Sequence, residues 1–220
     1  AQTTIEGPFY KGAWLISGRR TYFDQILKNT SLNVPPYYFY DLQSHIFSHL
    51  SSKVRLSFSF YRGLDDLVYE DLGLDSEWGN KTYSMAYRRL FSDLLIGNFL
   101  IASSQFRTYF NLGGDSGLIE DNVIDDITPA ASFTWFQNSE MIWKFGAQIK
   151  QLGFHYDNSF ADTSLFVIQK KPVESAIYNK WKWILSERFI VEPGIRLNVY
   201  DAHPDRYFPD LRLGMKFLVT

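Results

Sequence analysis

The segment "MIWKFGAQIK", residues 141–150, divides its side chains into two sets by parity. Successive side chains of a β-strand point to opposite faces, so one face would be almost wholly apolar and the other would carry two lysines and a glutamine. The apolar set is Met141, Trp143, Phe145, Ala147 and Ile149. Such a face fits the core of a soluble sheet or the lipid side of a membrane strand, and the segment alone leaves both alternatives open.

Composition narrows the class of protein. The 220 residues include 18% aromatic and 21% charged residues, and no apolar run approaches the roughly 20 residues of a transmembrane helix. A membrane location would therefore require strands. The net charge of -2 provides no basic footprint, so we expect no nucleic-acid partner. The absence of cysteine from the sequence excludes disulfides and thiolate metal sites.

The same alternation recurs along the chain and predicts about eleven strands. Tight turns follow the odd strands, and longer polar segments follow the even ones, at 23–36, 62–80, 111–128, 155–164 and 201–210. Short turns at one end and long loops at the other are typical of an outer-membrane β-barrel, whereas a β-sandwich has no reason to sort its loops by length. The sequence predicts an all-β fold, an antiparallel up-and-down transmembrane β-barrel segment of about 10–12 strands.

Alternation also predicts which side chains face lipid, because an Arg or Lys at the bilayer midplane on the lipid side costs about 2–4 kcal/mol. The predicted lipid-facing residues are Val54, Leu56, Phe58, Met141, Trp143, Phe145, Leu213, Met215 and Phe217. The predicted lumen-facing residues are Arg55, Ser57, Lys144, Gln148, Lys150, Arg196, Arg212 and Lys216. Trp and Tyr residues near strand ends are expected to form interfacial girdles: Trp14, Tyr22, Tyr37, Tyr38, Tyr40, Trp78, Trp135, Trp181, Trp183 and Tyr200.

Five stretches resemble, in order, barrel segments of TonB-dependent outer-membrane transporters of the Bacteroidota type. They are "TTIEGPFYKGAWLISGRRTYFD", "PPYYFYDLQSHI", "EWGNKTYSMAYRRLFS", "VEPGIRLNVY" and "FPDLRLGMKFLVT". The resemblance implies a barrel of 22 strands, an N-terminal plug domain, an upstream TonB box and energised uptake of a scarce nutrient. Residues 1–220 would then be a partial barrel domain, with the plug and the remaining strands absent.

The implied protein lies in the bacterial outer membrane, in contact with its lipid. It binds a small extracellular ligand at the long loops, of the siderophore, glycan, peptide or cobalamin class, and couples through the absent plug to a TonB-type protein. A passive porin-like barrel or an outer-membrane enzyme barrel is the alternative. An odd count of eleven strands further predicts an open sheet, because bacterial barrels close with even numbers, whereas an even count of ten or twelve would permit a small closed barrel.

Catalytic and metal-binding patterns are weak. His45 and His49 share one parity, but residues i and i+4 of a strand lie about 13 Å apart, too far for one ion. No G-x-S-x-G nucleophile elbow occurs. We therefore expect no enzyme, no catalytic residues and no cofactor or metal. The acidic segments 65–77 and 115–126 match no EF-hand, and solvated surface loops are favoured there over calcium binding.

Overall fold

Antiparallel strands make up nearly all of the protein. The computed structural model describes residues 1–27 and 37–219, with the side chain of Asp115 excepted. The strands are β1 (Gln2–Phe9), β2 (Gly12–Arg20), β3 (Tyr37–Ser51), β4 (Val54–Tyr69), β5 (Leu74–Ser92), β6 (Leu95–Leu112), β7 (Leu118–Phe136), β8 (Met141–Phe160), β9 (Thr163–Lys170), β10 (Val173–Ile184), β11 (Phe189–Tyr200) and β12 (Tyr207–Phe217). One short helix, α1 (Phe23–Leu27), and 3-10 turns at Glu70–Leu72 and Gly114–Ser116 connect them. No helix among the described residues is long and apolar enough to cross a membrane.

All strands join one up-and-down sheet, with one interruption. The first part of β8 pairs with β10, and its last residues, from Phe154 onward, pair with β9. Lys171 and Pro172 separate β9 from β10, and the Pro172 carbonyl still accepts a hydrogen bond of 2.9 Å from the Leu152 amide. Together, β9 and β10 therefore act as one broken strand opposite β8. The main path across the sheet runs β1 to β8 and then β10, β11 and β12, which agrees with the predicted number.

The sheet is open. Along the described chain, β1 pairs only with β2 and β12 pairs only with β11, so no ladder joins residues 2–9 to 211–219. The prediction of an open sheet is confirmed. Each terminal strand presents one row of backbone groups that in hydrocarbon would require another strand.

Most of the predicted long loops are strands, and that part of the prediction is wrong. Strand β4 continues to Tyr69 and β5 begins at Leu74, with Gly73 closing the connection at φ 58°. The segments 111–128 and 155–164 likewise belong mainly to β6, β7, β8 and β9, and 201–210 is a turn only as far as residue 206. Polar residues pair here because each neighbouring strand offers a continuous ladder, which local polarity does not reveal. Segment 23–36 begins with α1, and residues 28–36 lie outside the described residues.

We name the two ends of the strands and the two faces of the sheet. The turn end is the one with the tight connections, such as Tyr10–Lys11 and 137–140, and the far end is the opposite end of the strands. Cross-strand partners share a face, and the successive partners Val54, Arg89, Gly97, Phe133 and Phe145 link β4 to β8 on the side that we name the Trp143 face. The opposite side is the Lys144 face.

The register distributes the predicted residues between these faces as alternation requires. The nine residues predicted to face lipid all lie on the Trp143 face. The eight predicted lumen residues lie on the Lys144 face, where Arg55, Arg88, Asn98, Ser132, Gly146, Tyr178 and Arg196 form one row of partners. That the Trp143 face meets lipid stays a prediction.

Neither face is covered by another layer of the described chain. Ala176, 4% exposed, is the one buried hydrophobic residue among the described positions, whereas Leu211 is 77% exposed. A soluble sandwich buries one face of each sheet against the other. The described part of the chain therefore does not form such a sandwich.

Candidate functional site

Aromatic side chains form a connected belt on the Trp143 face near the turn end. The rings of Phe99 and Phe133 lie 5.6 Å apart, and those of Phe133 and Phe145 lie 5.2 Å apart. Trp143 stacks on Trp181 at 6.4 Å, and its indole N–H donates to the side-chain carbonyl of Asn179. Of the predicted girdle, Trp14, Trp135, Trp181 and Trp183 lie here. Rings with one polar edge are suited to a membrane interface.

Polar side chains occupy the Lys144 face near the turn end. Lys150 Nζ lies 3.8 Å from the Asp126 carboxylate, and the Arg212 guanidinium lies 2.5 Å from that of Asp210. Three of the predicted lumen residues, Lys144, Arg196 and Arg212, line one cavity of about 520 Å³ together with Lys180 and Glu192, and Arg196 also donates to Asn198. The others lie outside this cavity: Arg55, whose guanidinium lies over the Phe47 ring, Ser57, Gln148, Lys150 and Lys216. This half of the face is therefore rich in charged groups of both signs.

The polarity of both faces reverses toward the far end. On the Trp143 face of β5, Met85 and Tyr83 are followed by Lys81 and, two steps on, by Glu77. On the Lys144 face of the same strand, the small polar residues Ser84, Thr82 and Asn80 are followed by Trp78. A membrane strand needs only about 9–11 residues, so a strand as long as β5, Leu74–Ser92, has more residues than one crossing uses. In the far half of β5, charged residues appear on the Trp143 face and a ring appears on the Lys144 face.

The rings on the Lys144 face of the far half form what we name the far-end aromatic surface: Tyr37, Phe39, Trp78, Phe106, Phe154 and Tyr156. A single row of cross-strand partners spans it, from Phe39 through Asp65, Trp78, Thr108 and Asn122 to Tyr156. All of these side chains are half-buried. The surface combines ring faces with a few interspersed polar groups.

Tyr37 gives one side of this surface a fixed polar group. Its hydroxyl donates a hydrogen bond of 2.5 Å to Asp65, and its ring stacks on Trp78 with centroids 6.3 Å apart and planes 22° from parallel. Burial, followed by the hydrogen bond to Asp65 and that residue's negative charge, raises the pKa of Tyr37 to about 12. Tyr37 therefore stays a neutral donor at physiological pH.

Glu120 provides a polar group on the opposite side of the far-end aromatic surface, beside Tyr156. Its carboxylate accepts hydrogen bonds from the Tyr156 hydroxyl at 3.2 Å and from the Asn158 amide at 2.9 Å. Tyr156 in turn makes an edge contact with Phe166 of β9, with ring centroids 6.2 Å apart. Rings held by carboxylates provide stacking faces and a few convergent polar groups, the composition of small-molecule sites.

The predicted girdle residues do not share one face. Tyr37, Trp78 and Tyr200 lie on the Lys144 face, opposite Trp14 and Trp143, so one membrane girdle cannot include all of them. The far-end aromatic surface was missed because segment 62–80 was interpreted as a loop, in which parity has no meaning. The sequence does carry a signal for the face of Trp78. If the alternation of β5 is continued from Lys81 back to Trp78, the two side chains fall on opposite faces.

Catalytic geometry is limited in the described residues. His45 Nδ1 lies 2.8 Å from Ser59 Oγ, but no described carboxylate bonds to this imidazole. His49 lies beside the ring of Phe47. No group of three or more His, Cys, Asp or Glu side chains in the described ranges is arranged to hold a metal ion. The acidic residues of the far halves are divided between the two faces of the strands, with Asp121 on the Trp143 face and Glu120 on the Lys144 face, and do not converge in a loop.

Comparison with known proteins identifies the fold. No family model and no curated protein matches the chain. Among solved structures, it is similar to a mutant of the ferric enterobactin receptor PfeA of Pseudomonas aeruginosa, with a TM-score of 0.73 and 11% identity over 100% of this chain and 39% of that one. The copper transporter OprC matches with a TM-score of 0.67 and 10% identity, over 94% of this chain and 37% of the other.

A third similar structure is the hemophore receptor HasR of Serratia marcescens, in complex with its hemophore HasA and heme, with a TM-score of 0.66 and 8% identity over 97% of this chain and 37% of HasR. These three proteins are TonB-dependent receptors. The chain spans less than half of the length of each. It has the fold of a segment of their outer-membrane β-barrels.

Proposed function

We propose that the chain forms part of the barrel wall of a TonB-dependent outer-membrane receptor, and that the whole receptor imports a small, scarce nutrient. The fold supports a barrel wall of this type. The Trp143 face supports a membrane location, because its apolar band, from Met141 to Ile149 on β8, has the length of a membrane-spanning strand. A larger barrel, of 22 strands in the family that the sequence resembles, would supply partners for the free edges of β1 and β12.

The reversal of polarity is the observation that carries this proposal. A barrel that only crosses the membrane keeps an apolar outside and a polar inside along its whole wall. Here the Lys144 face turns aromatic beyond the band, around Trp78 and Phe106, while the Trp143 face turns charged at Lys81. In the proposed orientation the Lys144 face lines the lumen and the far end is extracellular. The rings then form an entrance surface to which a ligand can stack.

The rings and carboxylates of the far-end aromatic surface indicate the general chemistry of the ligand and not its class. Ring faces beside hydrogen-bonded carboxylates, at Asp65 and Glu120, suit ligands that combine flat or ring-shaped apolar surface with hydrogen-bond donors. Siderophores, glycans, peptides and cobalamin all offer such groups. Release into the periplasm would be driven through a plug domain and a TonB-type coupling protein, as the resemblance implies.

A passive porin or an enzyme barrel explains the far half less well. A diffusion pore needs a wetted lumen, and a cluster of rings such as Trp78 and Phe106 would hold solutes back instead of passing them. An enzyme needs activated groups, and His45 with Ser59 makes a two-residue contact that no described carboxylate completes.

Uptake measurements in cells that produce the full-length protein test the proposal. Accumulation of a labelled nutrient should stop when the inner-membrane proton gradient is collapsed, whereas uptake through a passive porin would continue. Trp78→Ala should weaken ligand binding by about tenfold or more, since tryptophans are enriched among binding hot spots. Trp181→Ala is the matched control, because it removes the same side chain from the Trp143 face. Equal loss of binding in both variants would contradict the assignment of the site.

A further inference from the structure

Two cations lie directly opposite each other on the Trp143 face. Arg62 of β4 and Lys81 of β5 are cross-strand partners. Like charges in this position repel and destabilise a sheet. Within the described residues, neither side chain has an ion pair or a hydrogen bond. The chain therefore concentrates two positive charges at one point and supplies no bonded anion for them.

The position of this pair relative to the apolar band is well defined. One step toward the turn end, Phe60 lies opposite Tyr83, and their ring centroids are 5.1 Å apart. Phe58 and Met85 follow in the next step. In the proposed orientation, the rings of Phe60 and Tyr83 lie at the edge of the hydrocarbon. Arg62 and Lys81 are then level with the lipid headgroups, where cations attract anionic lipids.

A groove opens beside the two cations on the same surface. It has a volume of about 170 Å³ and is lined by Arg62, Lys81, Gln105, Arg107, Glu77 and Gly79. Gly79 allows the backbones of β4 and β5 to approach closely at this groove, since a Cβ added there would come within 2.6 Å of the Gly63 carbonyl oxygen. Arg107 is already held by Asp121 in a two-pronged ion pair with distances of 3.0 and 2.8 Å. The charges left for a ligand are those of Arg62 and Lys81, with Glu77 two steps farther out.

We propose that this groove binds the phosphate of an anionic lipid headgroup. Arg62 would hold two phosphate oxygens with its planar guanidinium, and Lys81 would add a point charge. The Gln105 amide, next to Lys81 in the same row of partners, would donate a further hydrogen bond. Glu77 would accept from a hydroxyl or ammonium group of the same headgroup. The inference rests on the proposed function only in that the Trp143 face must meet the membrane with the far end outward.

Binding of lipid to the full-length protein tests this site. Purified protein is stripped of lipid and mixed with phosphatidylglycerol, with phosphatidylcholine or with inorganic phosphate, and the bound molecules are counted by native mass spectrometry. The test variant is Arg62→Gln with Lys81→Gln. The matched control is Arg55→Gln with Arg88→Gln, because these two arginines are also direct partners on β4 and β5, but on the Lys144 face at the turn end.

The wild type and the control should retain phosphatidylglycerol in preference to phosphatidylcholine, and the test variant should lose that preference with a drop in affinity of about tenfold or more. Equal retention by the test variant and the wild type would overturn the proposal, and so would binding of inorganic phosphate as tight as that of the lipid. Lys81→Gln alone gives the same comparison if the double variant does not fold. Intact nutrient uptake without lipid retention would refute this site alone, whereas lipid retention without energised uptake would refute the proposed function alone.

Discussion

The hydroxyl of Tyr37 on β3 donates to the carboxylate of Asp65 on β4 at 2.5 Å, although the two residues are diagonal and not direct partners across the sheet. The direct partner of Tyr37 is Leu67, and that of Asp65 is Phe39. The ring of the same Tyr37 stacks on Trp78, the direct partner of Asp65. The hydrogen bond and the stacking therefore hold Tyr37 at both its polar and its apolar side.

The first prediction concerns the titration of Tyr37. Its pKa, about 12 in the folded protein, lies above the value of about 10 for a free tyrosine. The stability that this difference contributes is complete below pH 10 and is lost as the pH rises from about 10 to about 12. Absorbance titration should show a late tyrosine that disappears in Tyr37→Phe. In Asp65→Asn the late step should move to lower pH, because the charge and its hydrogen bond are changed while burial remains. An unmoved step would show that Asp65 has no part in it.

The second prediction tests which face meets lipid. Ala147 and Gln148 are consecutive residues of β8 on the Trp143 and Lys144 faces, near the middle of the apolar band. Ala147→Arg should lower the free energy of unfolding in lipid vesicles by about 2–4 kcal/mol, because the cation enters hydrocarbon. Gln148→Arg, on the wetted wall, should change it by only about 0.5 kcal/mol. Unfolding of the full-length protein in guanidinium gives both values, and the reverse order of the two would exchange the faces.

A third prediction concerns the packing of Tyr178 on Gly146, its direct cross-strand partner. A Cβ at Gly146 would lie 2.5 Å from the Ala131 carbonyl oxygen and 2.7 Å from the Tyr178 hydroxyl oxygen. Gly146→Ala should therefore destabilise the protein by about 1–3 kcal/mol through overpacking.

Gly214→Ala is the control for this change, since the nearest atom to an added Cβ there is 3.6 Å away, at the Glu192 side chain. It should be neutral or stabilise by about 0.4–1 kcal/mol, because alanine restricts the unfolded chain. Midpoints of thermal unfolding measure both variants. Equal destabilisation by both alanines would remove close packing as the cause.

The fourth prediction concerns the break at Lys171 and Pro172. Strand β9 pairs only with β8, whereas β10 pairs with β8 and with β11. The outer edge of β9 has no partner strand in the described chain, and Leu165 is 61% exposed. Backbone amides of β9 should therefore exchange with deuterium much faster than those of β10. Mass spectrometry of peptides from 163–170 and 173–184 measures the two rates. Similar protection of both peptides would indicate that another segment or protein covers β9.

The sequence by itself determined the strand period, the tight turns and the membership of the two faces. Parity is a local property: once a residue such as Trp143 lies in a strand, Lys144 must point to the other side, whatever the neighbouring strands are. For this reason the lipid and lumen sets could be written down before any pairing was known. Runs such as Leu213 to Phe217 carried this signal clearly, because every second residue is apolar.

Only the tertiary structure decided that the polar halves are strands and that their rings meet. A polar segment forms a strand only when a neighbouring strand completes its hydrogen bonds. The strands that pair with residues 62–80 cannot be identified from the sequence of that segment alone. The row from Phe39 through Trp78 to Tyr156 joins residues far apart in the chain, and the register of five successive ladders brings them together. The pairing of Arg62 with Lys81 has the same origin. Alternation assigns a side chain to a face, but its neighbours on that face follow from the hydrogen-bond register between strands.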